Sequence, residues 1–149
     1  MANIFELTYG ATLSHEDDGI VVTFRDLDNV FTYGETEEEA VFNAQDALDG
    51  VLESMAAHDQ EIPLPSRIKE GEVGIAVSPE VAAPVLLRNL RTQQHKSLSD
   101  VAKALGKPYQ SVQRMERLGS NITLKSLKMA AAALGATVEI RLNKVVNTA

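Results

Sequence analysis

Hydrophobic and polar positions change their period along the chain, and each change predicts an element. Up to Tyr33 the apolar residues form short runs: Ile4, Phe5, Leu7 and Tyr9, then Ile20 to Phe24, then Val30 to Tyr33. Partly alternating or β-branched runs of this length predict strands. The polar, acidic stretch Ser14 to Gly19 suits a hairpin turn between the first two, so an antiparallel meander is expected. From Thr36 the period is helical, with Val41, Ala44, Leu48, Val51, Leu52 and Met55 on one stripe. Thr36 and Glu39 have capping-box spacing, and Glu37, Glu38 and Glu39 fall in the first turn, where the helix dipole favours anions. This helix should run to about Ala57 and cross one face of the sheet.

Ile62-Pro63-Leu64-Pro65-Ser66 reads as a loop, because each proline forces its predecessor toward extended geometry and lacks an amide donor. Val73 to Val77 predicts a fourth strand, and Ser78-Pro79-Glu80 begins a helix to about Gln94, with serine as cap and proline at the first helical position. Further on, LSDVAKALGKPYQSVQRMER (Leu98 to Arg117) places Val101, Ala102 and Leu105 on one short helix and Val112 and Met115 on a second. Ala102 is small where two helices would cross closely, and Gly106 permits the positive φ of a tight turn. This is the helix-turn-helix pattern, which a short αα-hairpin of another kind would match only by coincidence of several positions. Thr123 can cap a helix carrying Leu124, Leu127, Ala130, Ala131 and Leu134, ended by Gly135. Val138, Ile140 and Leu142 alternate with Glu139, Arg141 and Asn143, which predicts a short terminal strand. A lone strand is a pairing hazard, and pairing with its copy in a second chain would remove it while building a two-fold dimer.

Charge changes this picture most. The chain of 149 residues has a net charge of -7. Residues 1–78 hold three basic and seventeen acidic residues, a net of -14, whereas residues 79–149 hold eleven basic and four acidic, a net of +7. A basic half suits nucleic acid, and an acidic half repels phosphate and attracts a cationic partner; uneven solvation of an ordinary surface is the plainer reading. Domains are expected at 1–80 and 96–149 with a connecting helix over 81–95. Cysteine is absent, which removes disulfides, thiolate metal sites and thiol chemistry. No signal-peptide pattern or membrane-length apolar run is present, so a cytoplasmic protein is expected.

The segment at about 96–142 resembles the Cro and C1 repressor-like (Xre) family of helix-turn-helix domains. That resemblance implies base-edge contacts from Tyr109, Gln110, Gln113 and Arg114 at the start of the second helix. Chemistry agrees, since glutamine pairs bidentately with adenine and arginine with guanine. It implies phosphate contacts from Ser99, Ser111, Arg117, Asn121 and Lys125, and a dimer on an inverted-repeat operator in double-stranded DNA.

The stretch GIVVTFRDLDNVFTYGETEEEAVFNAQDALDGVLESM, with IPLPS and VGIAVSPEVAAPVLLRNL after it, resembles the HicB-type antitoxins. Arg25 stands where that family often has proline, and Asn29-Val30 where it often has Gly-Cys. The resemblance implies an α+β fold: a partial RNase H-like domain, antiparallel sheet with helices, followed by an all-α helix-turn-helix domain ending in a short strand. It also implies a small cationic HicA-type toxin as partner, an mRNA-cleaving ribonuclease, and repression of the shared operon. The toxin contact is expected on the sheet and its loops, with Glu16, Asp17, Asp18, Asp26 and Asp28 as charges and Tyr9, Phe24 and Phe31 as anchors. Core packing for the aromatics and simple solvation for the acids are the alternatives. A ligand-sensing regulator without a toxin partner is the other functional reading.

Catalysis is not expected. Glu6, Asp26 and Asp46 could in principle converge on metal ions, but the acidic half lacks cations to hold a phosphate substrate. His15, His58 and His95 fall in separate segments. No phosphate loop or nucleophile elbow is present, so no metal or cofactor is expected.

Overall fold

The computed structural model describes residues 5–144 and divides into two units, Leu7–Ser78 and Pro79–Arg141. The first unit contains β1 (Thr8–Glu16), β2 (Gly19–Phe24), β3 (Phe31–Gly34), α1 (Glu37–Ala57) and β4 (Val73–Ala76). The strands form one sheet in the order β3-β2-β1-β4, antiparallel at every pairing. The first strand lies later in the chain than its apolar run suggests. Ile4 is outside the described residues, Phe5 is exposed, and Ser14 to Glu16 continue the strand instead of opening a turn. The cause is the register: Glu16 pairs with Gly19, so Asp17 and Asp18 alone make the reversal. Val30 precedes β3 and is half-buried.

Alternation decides which face is covered. Tyr9 and Ala11 of β1, Ile20, Val22 and Phe24 of β2, and Ile75 of β4 are buried, as are Ala40, Ala44, Leu48 and Leu52 of α1, which lies across that face. Three small steps bring the helix close to β3. A Cβ at Gly34 would sit 2.6 Å from the Ala40 Cα, so glycine is needed there. The Thr36 hydroxyl accepts from the Glu39 N–H at 3.1 Å, the expected half of a capping box; the reciprocal bond from the Glu39 side chain does not form. The amides of Asn43 and Gln45 donate to the carbonyls of Tyr33 and Ala76, each at 2.8 Å, tying α1 to both edge strands.

The proline-rich loop is held by polar side chains. Tyr9, wholly buried, donates its hydroxyl to the Pro63 carbonyl at 2.6 Å, and burial pushes that phenol up to about 12. The Asp26 carboxylate accepts from the Ser66 N–H and hydroxyl, both at 2.8 Å, and the Ser66 amide bond chiefly lowers its pKa. Arg25 grips Glu72 through two parallel bonds of 2.8 and 3.0 Å and donates to the Arg67 carbonyl at 2.6 Å. Bidentate guanidinium–carboxylate geometry is the strong form of this contact. Arg25 thus supplies a side-chain clasp that proline could not.

The second unit is helical: α2 (Pro79–Gln93), α3 (Leu98–Leu105), α4 (Tyr109–Met115) and α5 (Leu124–Ala133). Its core joins Leu87 of α2, Val101 and Ala102 of α3, Val112 and Met115 of α4, and Ala130 and Leu134 around α5. Gly106 adopts the left-handed conformation (φ 64) between α3 and α4. Leu87 and Leu90 of α2 pack into this core. The helix capped by Thr123 carries Leu124 as expected, with that side chain 65% exposed and outside the core. Residues 136–144 pair with none of the described residues of their own chain; the terminal strand was expected to pair with a second copy. Among the described residues no helix is long and apolar enough to cross a membrane.

One ion pair locks α4. Arg91 near the end of α2 meets Glu116, the C-cap of α4, through bonds of 2.6 and 2.9 Å, and also donates to the Lys96 carbonyl at 2.8 Å. Both side chains are nearly buried, at 13% and 11% exposure. Breaking such a pair leaves one charge without its partner, whereas replacing both by apolar groups is often neutral. Glu116→Ala should therefore cost about 3 kcal/mol in urea unfolding, and Arg91→Met with Glu116→Leu markedly less; equal losses would contradict the pairing.

The loop clasp has a pH signature. The Arg25 hydrogen bond, followed by the Lys69 amide, holds the Glu72 carboxyl down to about 2 from its ordinary 4.5. Its contribution is complete above the ordinary value and lost as pH falls through the lowered one. The Lys69 amide, which donates to Glu72 at 2.8 Å, should titrate by NMR with a midpoint near that lowered value. A midpoint at the ordinary carboxylate value would contradict the clasp.

Candidate nucleic-acid interface and acidic partner surface

Burial of Val112 and Met115 fixes the orientation of the seven-residue α4. The opposite side of the helix then carries Tyr109, Gln110, Gln113 and Arg114, all exposed, with Tyr109 at 43%. Gln110, Gln113 and Arg114 lie at i, i+3 and i+4, so their side chains share one stripe. Pro108 precedes the helix in extended geometry and provides no side-chain cap. Two amide groups and one guanidinium therefore face outward from one short helix, a donor and acceptor set able to read base edges in a major groove.

Around α4 the other expected contacts differ in access. Ser99, Arg117, Asn121 and Lys125 are exposed, and Ser111 is half-buried. Asn121 has φ 53 in the turn before α5, the left-handed geometry that asparagine tolerates. Ser99 lies in the first turn of α3 beside Asp100, whose carboxylate accepts from the Ser97 N–H at 2.8 Å. That bond, with the Ser97 hydroxyl's, holds the Asp100 carboxyl below the usual range. Sequence reasoning missed Arg91 and Glu116, the residues that hold α4 in place. They lie in different helices, so no helical spacing links them, and only their opposite charges and adjacent apolar neighbours gave any signal.

On the acidic unit the structure sorts the expected residues. Glu16, Asp17 and Asp18 are exposed at the β1–β2 reversal, and Asp28 is exposed between β2 and β3. His15 lies 3.2 Å from Glu37, which brings that reversal beside the acidic first turn of α1, Glu37, Glu38 and Glu39. In sequence those glutamates signal only the Glu39 capping box and the favourable first turn of a helix dipole. Phe31 is 71% exposed and Tyr33 43%, alternating with Thr32 and Gly34 so that both rings lie on the sheet face away from α1. Tyr9 and Phe24, expected as surface anchors, are instead core residues at 0% and 6% exposure, because their strand positions face α1. Asp26, expected as a free charge, is occupied by Ser66. Among the described residues no group of three or more His, Asp or Glu is arranged to hold a metal ion.

Comparison with known proteins also finds two parts in the chain, which meet within α2. Residues 8–85 match the family described as HicB_like antitoxin of bacterial toxin-antitoxin system, and residues 87–140 match a helix-turn-helix family. The chain is 34% identical over 134 residues to Antitoxin HicB 2 of Photorhabdus laumondii, covering 90% of this chain and 95% of that one. It is 33% identical over 130 residues to Antitoxin HicB of Escherichia coli K12, covering 87% and 94%. A second Photorhabdus relative, Antitoxin HicB 1, is 30% identical over 133 residues, covering 89% and 84%. The chain belongs to the HicB family of antitoxins, which are not enzymes, and carries a helix-turn-helix DNA-binding domain as its second half.

Proposed function

We propose that the first unit neutralises a small basic HicA-type ribonuclease toxin by direct binding, and that the second represses the shared operon as a homodimer on an inverted-repeat operator. The segregation of charge carries this reading: a net of -14 over residues 1–78 and +7 over residues 79–149 suits a cationic protein on one unit and a polyanion on the other. Glu16, Asp17, Asp18 and Asp28 supply the charges toward the toxin, and Phe31, with Tyr33 beside it, supplies the apolar contact. Bulky aromatic anchors are frequent in binding hot spots. Tyr109, Gln110, Gln113 and Arg114 meet base edges, while Ser99, Ser111, Arg117, Asn121 and Lys125 meet phosphates. The strand order β3-β2-β1-β4, with α1 between β3 and β4, supports a reduced RNase H-like layout in which β4 runs antiparallel. A cytoplasmic location follows from partners that are both cytoplasmic in a bacterium.

Co-expression with the small basic protein encoded beside this chain should give a stable complex. Phe31→Asp should weaken it by about 2 kcal/mol, roughly thirtyfold in Kd by calorimetry. A wild-type chain that fails to retain the toxin refutes the antitoxin reading, and an unaffected Phe31→Asp variant removes that anchor. On DNA the two contact classes separate. Gln110→Ala should cost about 1 to 3 kcal/mol on the operator and relax preference at one base position. Lys125→Ala should weaken all sequences alike and lower the salt slope by about one. Uniform weakening by Gln110→Ala, or an unmoved slope for Lys125→Ala, would contradict the respective roles.

A further inference from the structure

We infer that the toxin sits over the free edge of β3 and lays a cationic helix along the flank of α1 formed by Glu39, Phe42, Asp46 and Gly50. This seat rests on the antitoxin reading above and adds a face of α1 that the reading does not use. Its position follows from spacing. Glu39, Asn43, Asp46 and Gly50 recur at steps of four, three and four, so they form one stripe along the helix. Asn43 fixes where the stripe points, because its side-chain amide donates to the Tyr33 carbonyl at 2.8 Å, and β3 ends the sheet on that side. Phe42 stands three residues from Glu39 and four from Asp46, so it neighbours both carboxylates on the helix surface.

Three features of this flank serve nothing within the chain. Phe42 is 50% exposed, where a polar residue would suit the fold as well. Residues 37–57 carry six carboxylates and no lysine or arginine. Glu37 meets His15 and Asp49 accepts from the Ser78 N–H at 3.0 Å, but among the described residues Glu39 and Asp46 have no ion-pair partner. Gly50 is exposed in the interior of a 21-residue helix, and a Cβ built on it would meet nothing within 4 Å. Its φ is not positive, so any residue could stand there, and alanine would hold the helix better. A bare glycine lets a second backbone approach closely, since the distance between packed helices is set by the side chains at the crossing. Charge names the occupant: carboxylates without cations repel nucleic acid and a second copy of the same acidic unit, and attract lysine and arginine. A helix is selected over a strand, because Asn43 already holds the Tyr33 carbonyl that a strand added to β3 would need.

Calorimetry of the full chain with the small basic protein encoded beside it tests the seat. Gly50→Gln should block the close approach and weaken the complex about thirtyfold. Its Tm should stay level or rise, because the added side chain meets no neighbour in the chain and favours the helix. Phe42→Ser and Asp46→Lys should each weaken the complex about tenfold, with operator affinity unchanged within about twofold. Weaker binding at an intact Tm separates docking from a structural role; should Gly50→Gln lower Tm, the Phe42 and Asp46 variants decide. A wild-type chain that retains the toxin, with both of those variants binding it as tightly, overturns the α1 seat and leaves the antitoxin reading standing. A wild-type chain that fails to retain the toxin overturns both. If Phe42→Ser instead alters the sedimentation of the toxin-free chain, this flank is a self-association face and the seat is overturned.

Discussion

On the function proposed above, electrostatic incompatibility between two partners is the constraint on which this molecule depends. Duplex DNA presents a dense line of negative charge, and binding it requires cations placed where counterions would otherwise lie. A toxin that handles RNA is itself cationic, and covering it requires the opposite. One mixed surface would weaken both contacts, so the chain divides the charges between a sheet-and-helix unit and a helical unit. Within each unit the fold then has a narrow task, to hold a few side chains outward while burying the apolar residues between them.

Buried and half-buried polar contacts do much of this positioning. Arg91 and Glu116 join the end of α2 to the end of α4, so the helix that displays Gln110, Gln113 and Arg114 is fixed at its C-terminus as well as by Val112 and Met115. In the other unit Arg25, Asp26 and Tyr9 fasten a proline-rich loop whose backbone offers few hydrogen bonds of its own. Both devices place a charged group near a carboxylate or carbonyl in partial seclusion from water, where such bonds are worth more than on an open surface.

Local signals made most of the elements legible. The 3.6-residue stripe from Val41 to Met55, the Thr36 cap and the Ala102–Gly106–Val112–Met115 spacing each have a mechanical cause within a few residues, and the structure places them as expected. Long-range consequences were less accessible. The first strand could not be delimited from its apolar run, because the Glu16 to Gly19 register, and not composition, sets where the hairpin turns. Tyr9 and Phe24 look in sequence like Phe31; only strand alternation relative to α1 buries the first two and exposes the third. Asp26 is indistinguishable from Asp28 until the Ser66 loop folds back onto it. The terminal alternation at Val138 to Leu142 was visible at once, yet one chain alone offers it no neighbour.

The most direct test of charge division is to neutralise each surface and measure both partners. Glu16→Gln with Asp17→Asn and Asp18→Asn removes charge from the acidic reversal, and Arg117→Gln with Lys125→Gln removes it from the helical unit. Titration of both multiple variants against the toxin and against operator DNA at fixed salt should show each losing affinity for one partner, with the other unchanged within about twofold, a difference well under one order of magnitude in Kd. A variant that weakens both partners together, or an acidic reversal whose neutralisation leaves the toxin bound as tightly as before, would contradict the account.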